Sequence, residues 1–232
     1  VYGYRKLHDD LVDMGENCCP NRVARLARLA GIRAQIGYKR RPGTYGGKPS
    51  LVIGNTLDRQ FDVEAPDKAW VTDITYIKTD EGWLFLACVL DLYSRRIVGW
   101  ATSTRIDSEL IVWALSMAAW RFKPEGTICH SDRGVQYASQ AYQAVLKQHG
   151  LVCSMSRRGN CWDNACSETL FGSLKVERLH GQRFKTRRQA MDEVVAWMFW
   201  YNRTRLHSTL AYVSPMRFEE NWHANQPRQV SA

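Results

Sequence analysis

From Trp70 to Ala101, three runs rich in β-branched and aromatic residues follow one another with only short polar turns between them: Trp70 to Ile77, Trp83 to Leu90 and Ile97 to Ala101. Runs of that length and composition predict three consecutive antiparallel strands. Helical and strand patterns then alternate. A helix is expected from Asp107, an N-cap type of residue, to about Ala119. A short strand follows at Thr127 to His130, then a helix from Ser139 to His149 closed by Gly150, and a strand from Leu151 to Met155. After a polar loop, Ser156 to Trp162, come a helix from about Asp163 to Leu179 and a last long helix from Thr186 to about Asn202. The order predicts an α/β domain with a mixed five-stranded sheet and flanking helices.

Two other segments precede this domain. Tyr4, Leu7, Leu11 and Met14 recur at helical spacing until Gly15, and Val23, Leu26, Ala27 and Ala30 form a second apolar stripe between Pro20 and Gly31. Arg22, Arg25 and Arg28 lie three apart on that second helix, near enough to reach one phosphate backbone. The pair reads either as a helix-turn-helix remnant or as a structural helical pair. From Gly37 to Pro49, glycines and prolines alternate with Lys39, Arg40, Arg41 and Lys48, the composition of an extended basic linker. The expected organisation is therefore a helical segment at 1–33, a linker at 34–60, the α/β core at 61–220 and a tail at 221–232.

Charge narrows the partner. The chain carries a formal net charge of +9, and the stretch from Asn21 to Lys48 holds eight basic residues and no acid. A concentrated basic segment favours a polyanion, above all nucleic acid. The longest apolar runs, Trp83 to Leu90 and Leu110 to Trp120, fall short of the ~18 residues a membrane span needs. Seven cysteines, an odd number at irregular spacing, argue for a reducing, cytoplasmic setting and against a disulfide framework. No zinc-binding spacing is present.

Three acids stand out among the 23 in the chain. Asp73 interrupts an apolar strand, W-V-T-D-I-T-Y, where a charge is unwelcome unless something compensates it. Asp132 follows the short strand I-C-H-S, at the carboxyl end where α/β sheets place their ligands. Glu168 lies on the helix after the polar loop. At about 100° per residue, Glu168, Gly172 and Lys175 share one face of that helix, opposite Cys166, Leu170 and Leu174. An acid, a gap and a cation in line suit a DNA backbone lying across the helix. Phosphoryl transfer between DNA strands uses two hard divalent cations held by carboxylate oxygens, so acids at the ends of rigid elements are what such chemistry needs.

The contexts of these acids resemble the integrase-like catalytic core of bacterial insertion-sequence transposases of the downstream-frame (OrfB) type, which are related to retroviral integrases. The likeness lies in W-V-T-D-I-T-Y at 70–76, D-L-Y-S-R-R-I-V-G-W at 91–100, H-S-D-R-G-V-Q-Y at 130–137 and G-N-C-W-D-N-A-C-S-E-T-L-F-G-S-L-K at 159–175. It continues in Y-N-R-T-R-L-H-S-T-L at 201–210, followed by Pro215, and in Y-G-Y-R-K-L-H at 2–8. Thirty-five residues separate Asp132 from Glu168, the spacing of the family's Asp-Asp-Glu signature. The resemblance implies an RNase H-like fold and a DNA transposase that cuts and joins strands. It implies two Mg²⁺ ions, replaceable by Mn²⁺, with Asp73 bridging both and Asp132 and Glu168 each completing one site. Lys175 matches a residue that touches element-end DNA. Thr169 stands where Ser is commoner in the family.

Further DNA-contact candidates are Arg22, Arg25, Arg28, Lys39, Arg40 and Arg41, with Arg157, Arg158 and Asn160 in the polar loop. The expected partners are terminal-repeat and target DNA, a second copy of the chain on that DNA, and an upstream-frame transposase protein. Two other functions fit parts of the sequence: an RNase H-like nuclease that cuts without joining, and a shortened transposase acting as a DNA-binding repressor or assembly partner. His130 is expected either to tune the site or to be a satisfied strand-end histidine. The aromatic run Trp197, Phe199, Trp200 and Tyr201 reads as packing, not base stacking.

Overall fold

The computed structural model describes residues 3–34, 57, 63–156 and 165–226. Two short helices come first, α1 (Tyr4–Asp13) and α2 (Pro20–Leu29), the second opening with Pro20 in its first turn, where a missing N–H costs nothing. The three predicted strands are β1 (Ala69–Thr79), β2 (Gly82–Asp91) and β3 (Ile97–Ser103). Then come α3 (Ser108–Phe122), β4 (Ile128–Ser131), α4 (Gln140–Gln148), β5 (Val152–Met155) and α5 (Ala165–Leu174). The chain ends in α6 (Arg187–Arg203) and α7 (Pro215–Asn225), the latter running past residue 220, where the tail was expected to begin.

Caps explain most of the boundaries. Asp107 accepts a hydrogen bond from the Leu110 N–H, Ser139 from Tyr142, and Ser214 from Arg217, each satisfying a donor left free at a helix start. Thr186 and Gln189 form a reciprocal capping box on α6. The helix expected from Asp163 to Leu179 differs from the structure: α5 ends at Leu174 and a π turn, Lys175–Leu179, continues it.

The sheet order is β3-β2-β1-β4-β5, antiparallel among β1 to β3 and parallel from β1 through β4 to β5. Alternation along β2 sends Leu84, Leu86, Cys88 and Leu90 to one face and Ala87 and Val89 to the other. The first face packs on Leu170, Phe171 and Leu174 of α5 and on Val194, Trp197 and Tyr201 of α6. The second packs on Leu110, Ile111, Ala114 and Leu115 of α3 and on Tyr142 and Leu146 of α4. Helices on both faces of one mixed sheet make the three-layer architecture that the element order predicted. Trp197 and Tyr201 are core residues, as read from the sequence, whereas Phe199 is exposed. No described helix is long and apolar enough to cross a membrane.

Candidate active site

β4 pairs in parallel with β1, and the last register pair is Thr72 with Ser131. Asp73 and Asp132 each follow that pair directly, so two carboxylates stand side by side from strands that are distant in sequence. Beyond Thr72, β1 has no β4 partner. The Ile74 N–H is met instead by the Asp73 carboxylate at 2.7 Å. Asp132 is oriented by the Gly134 N–H at 2.8 Å. A Cβ on Gly134 would come within 2.9 Å of an Asp132 carboxylate oxygen, so the glycine in H-S-D-R-G is what permits this approach. The loop behind it is anchored by buried Tyr137, packed edge-on against Tyr142, and by the Arg133 Nε donating to the Ser156 carbonyl at 2.6 Å.

Glu168 arrives from the other side on α5. Leu170, Phe171 and Leu174 bury that helix, leaving Glu168, Gly172 and Lys175 exposed, the face predicted from the sequence. A Cβ on Gly172 would meet nothing within 4 Å, so neither packing nor backbone conformation requires the glycine there. α5 is tied to the β2–β3 turn by the Arg95 guanidinium, 2.7 Å from Cys166 Sγ. That turn, part of D-L-Y-S-R-R, is built by buried Asp91, which accepts from the Ser94 N–H and hydroxyl and from the Asp67 N–H. Its acid is structural.

The electrostatics distinguish Asp73. Burial, followed by repulsion from Asp132 and Glu168, pushes its carboxyl up to about 7, against the Ile74 hydrogen bond and the Lys175 ammonium. Asp132 is exposed to solvent while protein crowds it from the sheet side, and that desolvation raises its carboxyl above the usual range. The two acids resist ionising together, and Asp73, the more deeply set, is the more strongly raised. Lys175 is lowered by partial desolvation, with Asp73 opposing the shift. Asp73, Asp132, Glu168 and Lys175 thus lie within electrostatic reach of one another. Among the described residues, however, no three His, Cys, Asp or Glu side chains are gathered tightly enough to hold a metal ion as they stand. The donors are all carboxylates, which suit a hard divalent cation and no soft one.

His130 is fully buried, with Nδ1 2.9 Å from Ser154 Oγ and Nε2 3.0 Å from Ser156 Oγ. It pins β4 to β5, the structural one of its two expected roles. Arg22, Arg25 and Arg28 are exposed on α2. Lys39, Arg40, Arg41, Arg157, Arg158 and Asn160 lie outside the described residues. Sequence reasoning gave no role to the Y-N-R-T-R-L-H segment. Arg205 there grips Glu177 in the π turn through Nε at 2.9 and 3.0 Å and Nη2 at 2.6 Å, and also reaches Ser173 at 3.3 Å. Lys6 of α1 donates to the adjacent Leu206 carbonyl at 2.7 Å, joining the N-terminal helices to the core.

Two matches to the integrase core domain family cover residues 63–161 and 149–215, and an HTH-like domain family matches residues 1–41. The chain is 44% identical over 220 residues to the transposase InsF for insertion sequence IS3A of Escherichia coli K12, spanning 94% of this chain and 76% of that protein. It is 40% identical over 225 residues to a 31 kDa protein of insertion element IS600 from Shigella sonnei, spanning 96% and 83%. Among solved structures, a chain of the simian T-cell lymphotropic virus intasome in complex with the PP2A regulatory subunit B56 gamma aligns with a TM-score of 0.57 at 16% identity, over 99% of this chain and 77% of that one. The HTLV-2 integrase catalytic core domain in complex with magnesium gives 0.53 at 14% identity, over 67% and 98%. At such identities these two establish the fold, which is that of retroviral integrases and RNase H. The sequence relatives carry the rest: this chain belongs to the insertion-sequence transposases built on an integrase core domain.

Proposed function

We propose that the chain is a metal-dependent DNA transposase that cuts the ends of its element and joins the freed 3′-OH to a second phosphodiester, with Asp73, Asp132 and Glu168 as its catalytic acids. The observation that supports this most is the carboxylate pair where β4 ends beside β1, with Asp73 pushed up to about 7 by burial and by its acidic neighbours. A site that strains against its own charge is suited to a cationic ligand.

The three carboxylates are the residues that would hold Mg²⁺, or Mn²⁺ in its place, and such ions would supply activation of the attacking oxygen and charge neutralisation at the leaving one. The chain's own groups do the positioning. The Ile74 and Gly134 N–H groups aim the two aspartates, Gly172 leaves room for a sugar–phosphate backbone, and Lys175 offers it a counter-charge. Arg22, Arg25 and Arg28 on α2, with Lys39, Arg40, Arg41, Arg157, Arg158 and Asn160, supply further phosphate contacts. Joining two ends requires at least two copies of the chain on DNA, with an upstream-frame protein as a further partner, in the bacterial cytoplasm beside the nucleoid.

The test is strand joining on duplexes carrying the terminal repeats of the encoding element, with Mg²⁺. Joined products that vanish in Asp73→Asn support the reading, and full activity in that variant removes it. Cut products without joining would favour an RNase H-like nuclease. Binding without any turnover would favour a repressor or assembly role, a reading to which the separation of the three acids lends some weight.

A further inference from the structure

The β1–β2 hairpin carries an aromatic pair that neither core absorbs. Its register sets Lys78 opposite Trp83 and Tyr76 opposite Phe85, so Tyr76, Lys78 and Trp83 project from the same face. The Tyr76 and Trp83 rings meet edge-on, centroids 5.2 Å apart at 85°. Tyr76 is 56% exposed and Trp83 46%. Cross-strand aromatic pairs stabilise hairpins, which explains their contact but not their openness to solvent.

Location supplies the rest. Tyr76 stands on β1 beyond the last β4 pair, three residues or about 10 Å along the strand from Asp73 and, by alternation, on the opposite face, so the two communicate only around the edge of β1 that lies open past Thr72. Lys175 sets its Nζ 5.1 Å from the Tyr76 ring centroid, and the same ammonium feels Asp73. The aromatic pair and the acids are therefore linked by one cation. The acids of the hairpin turn are already engaged: Asp80 with Arg183 at 3.1 Å, and Glu81 with the Arg187 N–H at 2.8 Å. Lys78 and Lys175, both exposed, are the cations beside the pair. Solvent-exposed aromatic rings beside cations are what binds single-stranded nucleic acid, because every base has a π face and every nucleotide a phosphate. Paired bases inside a duplex present no free face.

We propose that Tyr76 and Trp83 form a stacking platform for an unpaired or frayed nucleobase flanking the phosphodiester held at the acids. Lys175 moves from the ring to a phosphate when DNA arrives and leaves the ring face to the base. The proposal rests on DNA being the substrate of this site, and it adds a preference for unpaired nucleotides next to the cut.

The probe is a duplex with a three-nucleotide overhang bearing 2-aminopurine, compared with the same duplex made blunt and carrying the analogue paired inside. Binding is followed in EDTA, where no turnover occurs. The overhang analogue loses at least half its fluorescence on wild-type protein, and the paired one does not. Tyr76→Trp keeps the quench. Tyr76→Leu, which keeps an apolar side chain on the hairpin but no π face, abolishes it and weakens overhang binding about ten-fold with blunt binding little changed; Tyr76→Ala does the same. No quench with wild-type protein, or a quench unaltered in Tyr76→Leu, overturns the platform. Quenching through Tyr76 in a protein that never joins DNA would leave the platform standing and overturn the transposase mechanism instead.

Discussion

α5 and the π turn behind it serve two clusters of charge that are built on opposite plans. Toward β1 and β4, Glu168 and Lys175 join Asp73 and Asp132: among the described residues, three acids to one base, with Asp73 and Asp132 receiving only backbone N–H bonds. Toward α6, Glu177 and Ser173 meet Arg205, the Trp197 indole also donates to Glu177 at 3.3 Å, and His207 lies 3.1 Å from the guanidinium. Burial and the neighbouring Arg205 push that histidine down to about 3, so it stays neutral. The second cluster is balanced within the chain. Among the described residues the first is not, and burying unmatched charge is costly. A fold that keeps both within one helix and turn spends its balanced cluster on holding shape and leaves the other for something from outside.

The widest separation between the two comes from catalysis. Asp73→Asn, Asp132→Asn or Glu168→Gln should each lower strand joining by about 10³-fold or more, since under the proposed mechanism each would remove a ligand for the divalent ions. Quantified joined product and an unfolding curve on the same sample check this, because the folded state should survive. Retained joining in any of the three would break the contrast.

Arg205→Ala should do the reverse. Removing one partner of a largely buried ion pair costs about 3 kcal/mol, or a melting temperature lower by about 6–12 °C for a chain of this size. Arg205 and Glu177 keep 11% and 19% of their side-chain surface exposed, so solvent screens the pair little. Thermal unfolding reads this directly, and an unchanged midpoint would mean that the balanced cluster holds nothing.

Charge state sharpens the comparison further. The Asp73 carboxyl sits above its unfolded value, so its contribution is fully present at low pH and is lost as pH rises through about 7. In EDTA, Asp73→Asn should therefore raise the midpoint by about 2–4 °C at pH 8 and hardly at all at pH 4. Millimolar Mg²⁺ should cancel the advantage by stabilising the wild-type protein. A gain equal at both pH values would show that Asp73 is not strained by its neighbours.

The smallest expected effect belongs to Lys175→Ala. DNA binding should weaken by about ten-fold or less, and the slope of log affinity against log salt should fall by about one, as for a single phosphate contact. Salt titrations of duplex binding measure both.

Much of this was legible from sequence, for identifiable reasons. Period-two alternation and short turns marked β1 to β3, and Asp107, Ser139 and Thr186 announced their helices because capping is a local interaction. Asp73 and Asp132 could be read as neighbours once β1 and β4 were taken as adjacent. The exposed face of α5 followed from 100° per residue. What escaped depended on contacts distant in the chain. The π turn at Lys175–Leu179 has no local signature, and Arg205 meets Glu177 only because α6 packs back against that turn. The Tyr76–Trp83 pair was partly legible, since hairpin register puts both on one face, but its exposure depends on where β4 stops. The α7 helix was hidden behind an assumed tail, although Ser214–Pro215 is a recognisable start.

The central claim concerns three acids that stand within electrostatic reach but are not yet gathered. A crystal structure with millimolar Mn²⁺, read by anomalous scattering, tests it most directly. Manganese density bridging Asp73 and Asp132, with Glu168 drawn in to complete the ligand set, is the predicted result. An ordered core with no manganese at these residues and Glu168 still apart would contradict it.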